Sequence, residues 1–373
     1  MSKTIFLATG GTGGHVFPAR ALAAELLSRG YDVTIVTDQR GQNYERLFAD
    51  CRIHRIDAAS PSGASPLGKV SAALSITRGV AQARRLIAEE APIAFVGFGG
   101  YPSLPTMFAG LTSRLPTVLH EQNAVLGRVN KLLAGWVRGL AVSFEDTLGV
   151  DINNEDNVIV TGNPVRAEIV TAGQSKYVGP KDQEPLRLFV FGGSQGARIL
   201  SQIVPEAVLL ANTDGVRPIQ VMQQCRSEDV EQVQSLYRQM NIDAVVQEFF
   251  DDMPRQFACA HLVVARAGAG TIFEIAAAGR PSILVPFAAA ADDHQTRNAA
   301  ALASGGGALV MSEAELTARK LGCVLTELAH DPDQLLSMAA AAKSFASEDA
   351  AARLADFVLQ YCEENGAGER IAA

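Results

Sequence analysis

Residues 266–274 of this chain are Arg266-Ala267-Gly268-Ala269-Gly270-Thr271-Ile272-Phe273-Glu274. The four residues before them, Leu262-Val263-Val264-Ala265, form a short apolar run that is typical of a buried parallel strand. From Thr271 onward, apolar side chains recur at helical spacing. The pattern therefore predicts a glycine-rich turn that leads from a strand into a helix.

A turn of this kind suits a phosphate or diphosphate, because unpaired backbone N–H groups and the positive end of a helix dipole point at one spot. Glu274 lies on the first turn or so of the predicted helix, where its carboxylate can accept hydrogen bonds from a ribose diol. A nucleotide is therefore the predicted ligand. The alternative is purely structural, since glycine-rich turns also occur wherever a chain must reverse tightly.

The length and composition of the chain limit the classes of protein to which it can belong. A length of 373 residues predicts two domains, and 48% hydrophobic with 19% charged residues is a globular composition. Five scattered cysteines without a C-x-x-C pair favour a reduced, cytosolic setting and argue against a zinc site. The apolar run near the N-terminus is too short for a signal peptide, and no apolar run of about 18 residues occurs, so no membrane span is expected.

The formal net charge of −8 disfavours nucleic acid as a partner, but the charge is unevenly distributed. Residues 60–140 contain 8 basic and 3 acidic side chains. A helix is predicted from about Lys69 to Glu90, with Arg78, Arg84 and Arg85 among apolar residues. It is either an ordinary amphipathic helix packed on a sheet or a surface that rests on anionic lipid.

The N-terminal strand, Ile5 to Ala8, is followed by a glycine loop of sequence Gly10-Gly11-Thr12-Gly13-Gly14-His15 and a helix that ends near Gly30. This arrangement is similar to the start of a dinucleotide-binding domain. The third glycine of that fingerprint would fall on Val16, where close packing of helix on strand leaves no room for a side chain. An NAD site is therefore disfavoured.

Further polar or glycine-rich segments follow predicted strands. Gly97-Phe98-Gly99-Gly100-Tyr101-Pro102-Ser103 and His120-Glu121-Gln122-Asn123 do so in the first half, and Gly192-Gly193-Ser194-Gln195-Gly196-Ala197 follows a strand that begins a second series. Ligands of open α/β sheets bind at the carboxyl ends of strands, so these groups are expected at one edge of each sheet. Because this last glycine-rich segment resembles the first glycine loop, two similar domains in tandem are predicted.

These motifs, with Gly162-Asn163-Pro164-Val165-Arg166 and Asp293-His294-Gln295, occur in the order and at about the spacing of the MurG family of GT-B glycosyltransferases. The chain resembles that family over essentially its whole length. The resemblance implies an α/β fold of two Rossmann-like domains whose parallel sheets face each other across a cleft. The expected boundaries are 1–163 for an acceptor- and membrane-facing domain, 164–345 for a UDP-GlcNAc-binding domain, and 346–373 for a helix that returns to the first domain.

The resemblance also implies the reaction: N-acetylglucosamine moves from UDP-GlcNAc to the C4 hydroxyl of MurNAc in lipid I, giving lipid II for peptidoglycan. It assigns Glu274 to the ribose, main chain near Phe250 to the uracil, and Asn123 and Gln295 to the sugar. The implied diphosphate contacts are Arg166, Ser194 and the backbone amides of Ala269, Gly270, Thr271 and Ile272, and Phe273 is also counted among the substrate-binding residues. The residues that close the cleft from the other side are Thr12, Gly13 and Gly14. The chain departs from the family pattern at the apolar Phe273 and at the all-alanine run Ala288–Ala291.

The chemistry requires a general base for the acceptor hydroxyl and stabilisation of the departing UDP. His15 is the first candidate base, because its reference pKa of about 6.5 suits that role, and Glu121 is the second. Each also has a structural alternative: His15 orders its loop or binds the acceptor diphosphate, and Glu121 caps a backbone segment. The single Asp-x-Asp string, Asp331-Pro332-Asp333, is interpreted as a helix cap, so no metal and no cofactor are predicted.

The resemblance places the protein peripherally on the cytoplasmic face of the cell inner membrane. The basic charge of residues 60–140 predicts that it binds there through its N-terminal domain, around Leu67–Leu86 and Met107–Arg114. Expected partners are UDP-GlcNAc, lipid I, the anionic membrane surface, and proteins of cell-wall synthesis and cell division. Three alternatives remain open at this point: a UDP-GlcNAc 2-epimerase-like enzyme, a GT-B transferase that acts on another lipid, and a non-catalytic sugar-nucleotide binding module.

Overall fold

The computed structural model describes residues 3–39, 44–60, 66–150, 157–193, 196–214 and 217–372. The chain divides into two compact units. The first consists of Met1–Arg166 and Ser347–Ala373, and the second of Ala167–Ala346.

The strands are β1 (Thr4–Ala8), β2 (Asp32–Thr37), β3 (Arg52–Arg55), β4 (Ala94–Gly97), β5 (Thr117–Glu121), β6 (Gly139–Val142), β7 (Val158–Val160), β8 (Leu186–Phe191), β9 (Ile219–Gln224), β10 (Ala244–Gln247), β11 (Leu262–Ala265), β12 (Ser282–Leu284) and β13 (Ala308–Val310). The helices are α1 (Gly13–Ser28), α2 (Tyr44–Leu47), α3 (Pro66–Glu90), α4 (Leu104–Thr112), α5 (Arg128–Leu133), α6 (Ala167–Ala172), α7 (Arg198–Asp214), α8 (Ser227–Gln239), α9 (Met253–Cys259), α10 (Ala269–Ala278), α11 (His294–Ser304), α12 (Ala318–His330), α13 (Pro332–Phe345) and α14 (Ala350–Ala372).

The described residues of the first unit form a seven-stranded parallel sheet in the order β3-β2-β1-β4-β5-β6-β7. Side chains of the central strand β1 alternate between two cores, because successive residues of a strand point to opposite faces. Ile5 and Leu7 belong to the core on one face, and Phe6 and Ala8 to the core on the other. Both faces are therefore covered, as is usual for a parallel sheet.

Helix α14 covers part of one face of this sheet. Its residues Leu354 and Val358 are fully buried in the same core as Ile5. Gly139, at the start of β6, allows the close approach of this helix, since a Cβ at that position would lie 2.6 Å from the ring of Phe357. The last segment of the chain thus packs on the first unit, beside α1 and β6.

The second unit contains, within its described residues, a six-stranded parallel sheet in the order β10-β9-β8-β11-β12-β13. An aromatic cluster packs on β8, where the rings of Phe189 and Phe191 stack at 4.9 Å and those of Phe250 and Phe257 meet Phe189 edge-on at 5.7 Å. Helix α10 follows β11 directly and ends at Gly279, whose φ of +61° favours glycine.

The predicted α/β class with two parallel sheets is confirmed. Strands β3, β6 and β13 were not predicted, and α3 begins at Pro66, before the predicted Lys69. Every helix of the described residues is too short or too polar to cross a lipid bilayer.

Candidate functional site

The first glycine loop connects β1 to α1. Thr12 occupies the N-cap position, is exposed, and makes no side-chain capping bond. The sequence predicted His15 on the glycine loop, and this prediction was wrong. Gly13 and Gly14 are the first helical residues, so His15 lies in the first turn of α1. Its backbone N–H donates to Thr12 O at 3.1 Å.

The half-buried imidazole of His15 is held on one side and open on the other. Nδ1 lies 2.9 Å from Oε1 of Gln122, and the backbone oxygen of His15 accepts from the hydroxyl of Thr9 at 2.9 Å. The opposite ring edge lies beside Gly100, where a Cβ would come within 3.5 Å of Nε2. Gly100 has a φ of +71°, a backbone conformation that favours glycine at this position.

The end of β5 supplies three buried polar side chains, His120, Glu121 and Gln122. The strand lies between β4 and β6 in the sheet, so these groups are at the carboxyl-terminal edge. Burial lowers the pKa of His120 to about 4, and this imidazole is therefore neutral near pH 7. Its Nε2 lies 3.3 Å from the carbonyl oxygen of Gly162.

Both carboxylate oxygens of Glu121 accept hydrogen bonds from residues that follow β5. Oε1 accepts from the backbone N–H and the side-chain amide of Asn123, at 3.0 and 3.2 Å. Oε2 accepts from the N–H of Gly127 and from Nδ2 of Asn130, both at 2.8 Å. Four donors around one buried carboxylate favour the structural alternative for Glu121 over the general base, because each oxygen already accepts two hydrogen bonds.

The N-terminus of α10 lies directly after β11 in the second unit. Gly268 is the N-cap, no side chain caps the helix, and the first intrahelical bond runs from Ile272 N–H to Gly268 O at 3.0 Å. The backbone N–H groups of Ala269, Gly270 and Thr271 therefore precede the hydrogen-bonded part of the helix. This is the geometry that binds a phosphate group.

Not every side chain of this segment is available to a ligand. Ile272 is fully buried, and the buried ring of Phe273 packs on that of Phe345 at 5.4 Å. Any contact from these two residues must come from the main chain. Glu274 lies in the second turn of the helix, beyond the predicted first turn, and is 9% exposed.

The remaining assigned residues lie in different surroundings. The ring of Phe250 belongs to the aromatic cluster on β8, which leaves only its main chain for uracil. Oε1 of Gln295 accepts from the N–H of Phe287 at 2.9 Å. The guanidinium of Arg166, in the first unit, lies 4.7 Å from the ring centroid of Phe17 on α1. Ser194 lies outside the described residues.

Arg266, at the carboxyl end of β11, had no predicted role. Its buried guanidinium donates to the carbonyl oxygens of Val285 and Pro286 and forms an ion pair of 2.5 Å with Glu313. It thus fixes the segment after β12 that precedes Gln295. The sequence contained one sign of this role, because Arg266 is a charged residue that directly follows the apolar run of β11.

The interpretation of Asp331 as a helix cap is confirmed, because its carboxylate accepts from the N–H of Gln334 at the start of α13. Across the described ranges, no group of three or more His, Cys, Asp and Glu side chains is arranged to hold a metal ion. Independence of a metal stays a prediction.

The sequence and the fold were compared with known proteins. The glycosyltransferase family 28 N-terminal domain matches residues 5–142, and the family 28 C-terminal domain matches residues 187–354. A relative from Paramagnetospirillum magneticum is 45% identical over 95% of this chain and 96% of its own length, and one from Rhodospirillum centenum is 44% identical over 95% and 93%. Both are named UDP-N-acetylglucosamine–N-acetylmuramyl-(pentapeptide) pyrophosphoryl-undecaprenol N-acetylglucosamine transferase.

A solved structure supports the same relationship. The crystal structure of Acinetobacter baumannii MurG matches with a TM-score of 0.76 and 30% identity, covering 96% of this chain and 99% of that one. Similarity at this level over nearly the full length of each relative establishes the family. The chain belongs to the MurG family of N-acetylglucosamine transferases, within glycosyltransferase family 28.

Proposed function

We propose that this chain transfers N-acetylglucosamine from UDP-GlcNAc to the C4 hydroxyl of MurNAc in lipid I, N-acetylmuramyl-(pentapeptide) pyrophosphoryl-undecaprenol, giving lipid II for peptidoglycan synthesis. The observation that carries the proposal is the sequence identity of 42–45%, over nearly the full length, to relatives named for this reaction. Their names do not favour the epimerase, the transferase for another lipid, or the non-catalytic module.

The second unit supplies the donor site in this proposal. The backbone N–H groups at the start of α10 receive the diphosphate, where the helix dipole stabilises the negative charge that develops as UDP departs. Glu274 holds the ribose hydroxyls, main chain near Phe250 holds the uracil, and Gln295 contacts the sugar. Ser194 and Arg166 are assigned to the diphosphate as well.

The first unit supplies the base and the acceptor groups. His15 takes the proton from the acceptor hydroxyl as its oxygen bonds to the anomeric carbon and the bond from that carbon to the diphosphate breaks. One displacement inverts the α linkage of the donor to a β linkage. Thr12, Gly13 and Gly14 line the acceptor side, Asn123 contacts the sugar, and Glu121 keeps the Asn123 segment in position.

We also assign membrane contact to the surface formed by α3 and α4. Val70 and Leu74 are 59% and 55% exposed, and with Arg78 and Arg85 they recur at helical spacing along one exposed stripe of α3. Phe108 on α4 is 41% exposed. Apolar residues beside cations suit the anionic cytoplasmic leaflet, where each cation contributes about 1 kcal/mol.

This surface differs in detail from the predicted one. Met107, within the predicted segment, is fully buried in the core beneath α4. Arg85 forms an ion pair with Glu89 at 2.7 Å, which weakens its attraction to lipid. Peripheral attachment to the inner membrane, and association with proteins of cell-wall synthesis and division, are part of the proposal.

The release of UDP from UDP-GlcNAc tests the proposed reaction. We expect release to require a MurNAc-pentapeptide pyrophosphoryl lipid with a short polyprenyl chain, and to remain at background with the same lipid lacking the C4 hydroxyl. UDP release that is independent of the acceptor, or appearance of UDP-ManNAc, would overturn the proposal in favour of a hydrolase or an epimerase.

A further inference from the structure

A chain of three side chains connects His15 to the buried end of β5. Nδ1 of His15 lies 2.9 Å from Oε1 of Gln122, and Nε2 of Gln122 lies 3.0 Å from Nδ1 of His120. We propose that Gln122 and His120 are positioning residues that hold neutral His15 in its Nδ1–H tautomer, so that the lone pair on Nε2 is the base. The inference rests on the proposed function, in which His15 is that base.

In this series of three side chains, Nε2 of His120 is the ring nitrogen that faces away from Gln122. One neighbour is the carbonyl oxygen of Gly162 at 3.3 Å, which can only accept. The other is Oγ of Ser143 at 3.5 Å, whose single hydroxyl proton is already donated to the backbone oxygen of Glu121 at 2.8 Å. Both neighbours therefore offer lone pairs, so Nε2 of His120 carries a proton.

His120 has only that one ring proton. The side chain is fully buried, and burial is the main cause of a pKa lowered to about 4. A positive charge on His15 would lower that pKa further, since it also disfavours the imidazolium of His120. At neutral pH, Nδ1 of His120 is consequently a lone pair and can only accept a hydrogen bond.

The orientation of the Gln122 amide then follows. Its Nε2 is placed against two acceptors, Nδ1 of His120 at 3.0 Å and the backbone oxygen of His120 at 2.9 Å. The two protons of the amide satisfy both. A flipped amide would place Oε1 against the same two acceptors and leave all three without a proton.

Oε1 of Gln122 therefore points at His15 as an acceptor, and Nδ1 of His15 must supply the proton. In the neutral imidazole the lone pair is left on Nε2. Within the described part of the chain Nε2 makes no hydrogen bond, and it lies beside Gly100, at the carboxyl-terminal edge of the sheet. The buried chain thus fixes which nitrogen can accept the proton of a hydroxyl group.

The tautomer matters because a histidine that presents N–H in place of its lone pair cannot act as a base. A wrong tautomer at a catalytic histidine reduces turnover by up to about 10⁴-fold. Gln122 can link the two imidazoles because its amide both donates and accepts a hydrogen bond. The tautomer of His120 therefore determines the tautomer of His15, and no charge is added.

The test is a two-bond ¹H–¹⁵N spectrum of the imidazoles of the full chain near pH 7.5. His15 is identified by the loss of its signals in His15→Gln. We expect a protonated Nδ1 and an unprotonated Nε2 for His15, with the reverse for His120. A protonated Nε2 on His15 in the wild-type protein would overturn the inference whatever the activity.

Two variants at one position test the role in catalysis. Gln122→Met has a similar shape but no hydrogen bonds, so we expect a mixture of His15 tautomers and a kcat lowered about 10²-fold or more, with the KM for UDP-GlcNAc unchanged. Gln122→Glu keeps an acceptor toward Nδ1 of His15, so it should keep the His15 tautomer and recover part of that kcat, although its second oxygen faces the two acceptors of His120 and lowers the stability of the first unit. His330→Gln, on the surface of α12, is the control.

Two results overturn the positioning role: wild-type kcat in Gln122→Met, or an unchanged His15 tautomer in that variant. A wild-type protein that shows the expected tautomers but transfers no sugar would overturn the proposed function, while the geometry of the three side chains would stand. The spectrum and the assay therefore separate the two failures.

Discussion

Asn130 donates a hydrogen bond of 2.8 Å from its side-chain amide to the carboxylate of Glu121, and the N–H of Gly127 meets the same oxygen at the same distance. The carboxylate holds together the segment that follows β5, which includes Asn123. This arrangement gives an acidic residue in a conspicuous motif a structural role that does not require proton transfer.

We expect Glu121→Gln to lower the stability of the first unit by about 1–3 kcal/mol, because an NH2 group would face donors where an oxygen now accepts. Activity should fall, while the dependence of kcat on pH keeps its shape. Urea unfolding and a pH–rate profile measure the two effects. Glu327→Gln, on the exposed side of α12, is the control. Loss of the acidic limb of the profile would instead identify Glu121 as the base.

His15→Ala is expected to lower kcat about 10²- to 10⁴-fold, the usual contribution of a general base. Binding of UDP-GlcNAc, measured by titration calorimetry, should be largely kept, since Glu274, Gln295 and the start of α10, which are proposed to bind the donor, lie in the second unit. His330→Ala provides a matched change at an exposed histidine. Activity within about threefold of the wild type would leave His15 with only an ordering role.

Glu274→Gln is expected to raise the KM for UDP-GlcNAc by about tenfold or more, because a charged acceptor to the ribose is replaced by a neutral one. A donor that lacks the ribose 2′-hydroxyl sharpens the test. The wild type should bind that donor less tightly, and the difference between wild type and variant should shrink. Equal defects with both donors would show that Glu274 contacts something other than the ribose.

The triple variant Arg78→Gln, Arg84→Gln and Arg85→Gln is expected to bind vesicles containing phosphatidylglycerol about tenfold or more weakly at low salt. Added salt should reduce the difference, because exposed charges are screened. The matched control is Arg238→Gln, Arg255→Gln and Arg319→Gln, which removes the same charge from exposed positions of the second unit. Equal binding by both triple variants would remove the α3 surface from the proposal.

The stability of the first unit is expected to fall as the pH drops from about 6.5 to about 4. His120 has a pKa of about 4 when folded and an ordinary value of 6.5, so the unfolded chain binds the extra proton first. The stability is fully present above pH 6.5, and on the order of 3 kcal/mol is lost by pH 4. His120→Gln should flatten this slope in chemical unfolding, and an unchanged slope would show that His120 is protonated in the folded protein.

Much of the fold could be predicted because its local signals agree with its packing. Apolar β-branched runs marked β1, β5 and β11, and glycines marked the turns that follow. Strand β3 was missed because its sequence, Arg52-Ile53-His54-Arg55, lies at a sheet edge and carries mostly charged or polar side chains. Strand β6 was missed because it begins with Gly139, whose lack of a side chain makes room for Phe357, more than 200 positions later in the sequence.

The proposed donor site could largely be predicted from the sequence, since Gly268 to Glu274 are contiguous and their turn geometry follows from glycine and the helix start. The acceptor side was less visible. The contact between His15 and Gln122 joins residues 107 positions apart, and the choice between base and structural roles depends on which atoms meet. The spacing of motifs along the sequence does not show which atoms form hydrogen bonds. The roles of Glu121 and Gln122 could therefore be assigned only from the structure.

The most direct test is the transfer of labelled sugar. The wild-type protein is incubated with UDP-GlcNAc labelled in the sugar and a short-chain lipid I analogue, and the anomeric configuration of the lipid product is determined by NMR. The account predicts that label enters the lipid fraction as a β-linked GlcNAc on C4 of MurNAc. Label that remains in a nucleotide sugar, appears as free GlcNAc, or enters the lipid with an α linkage would contradict it.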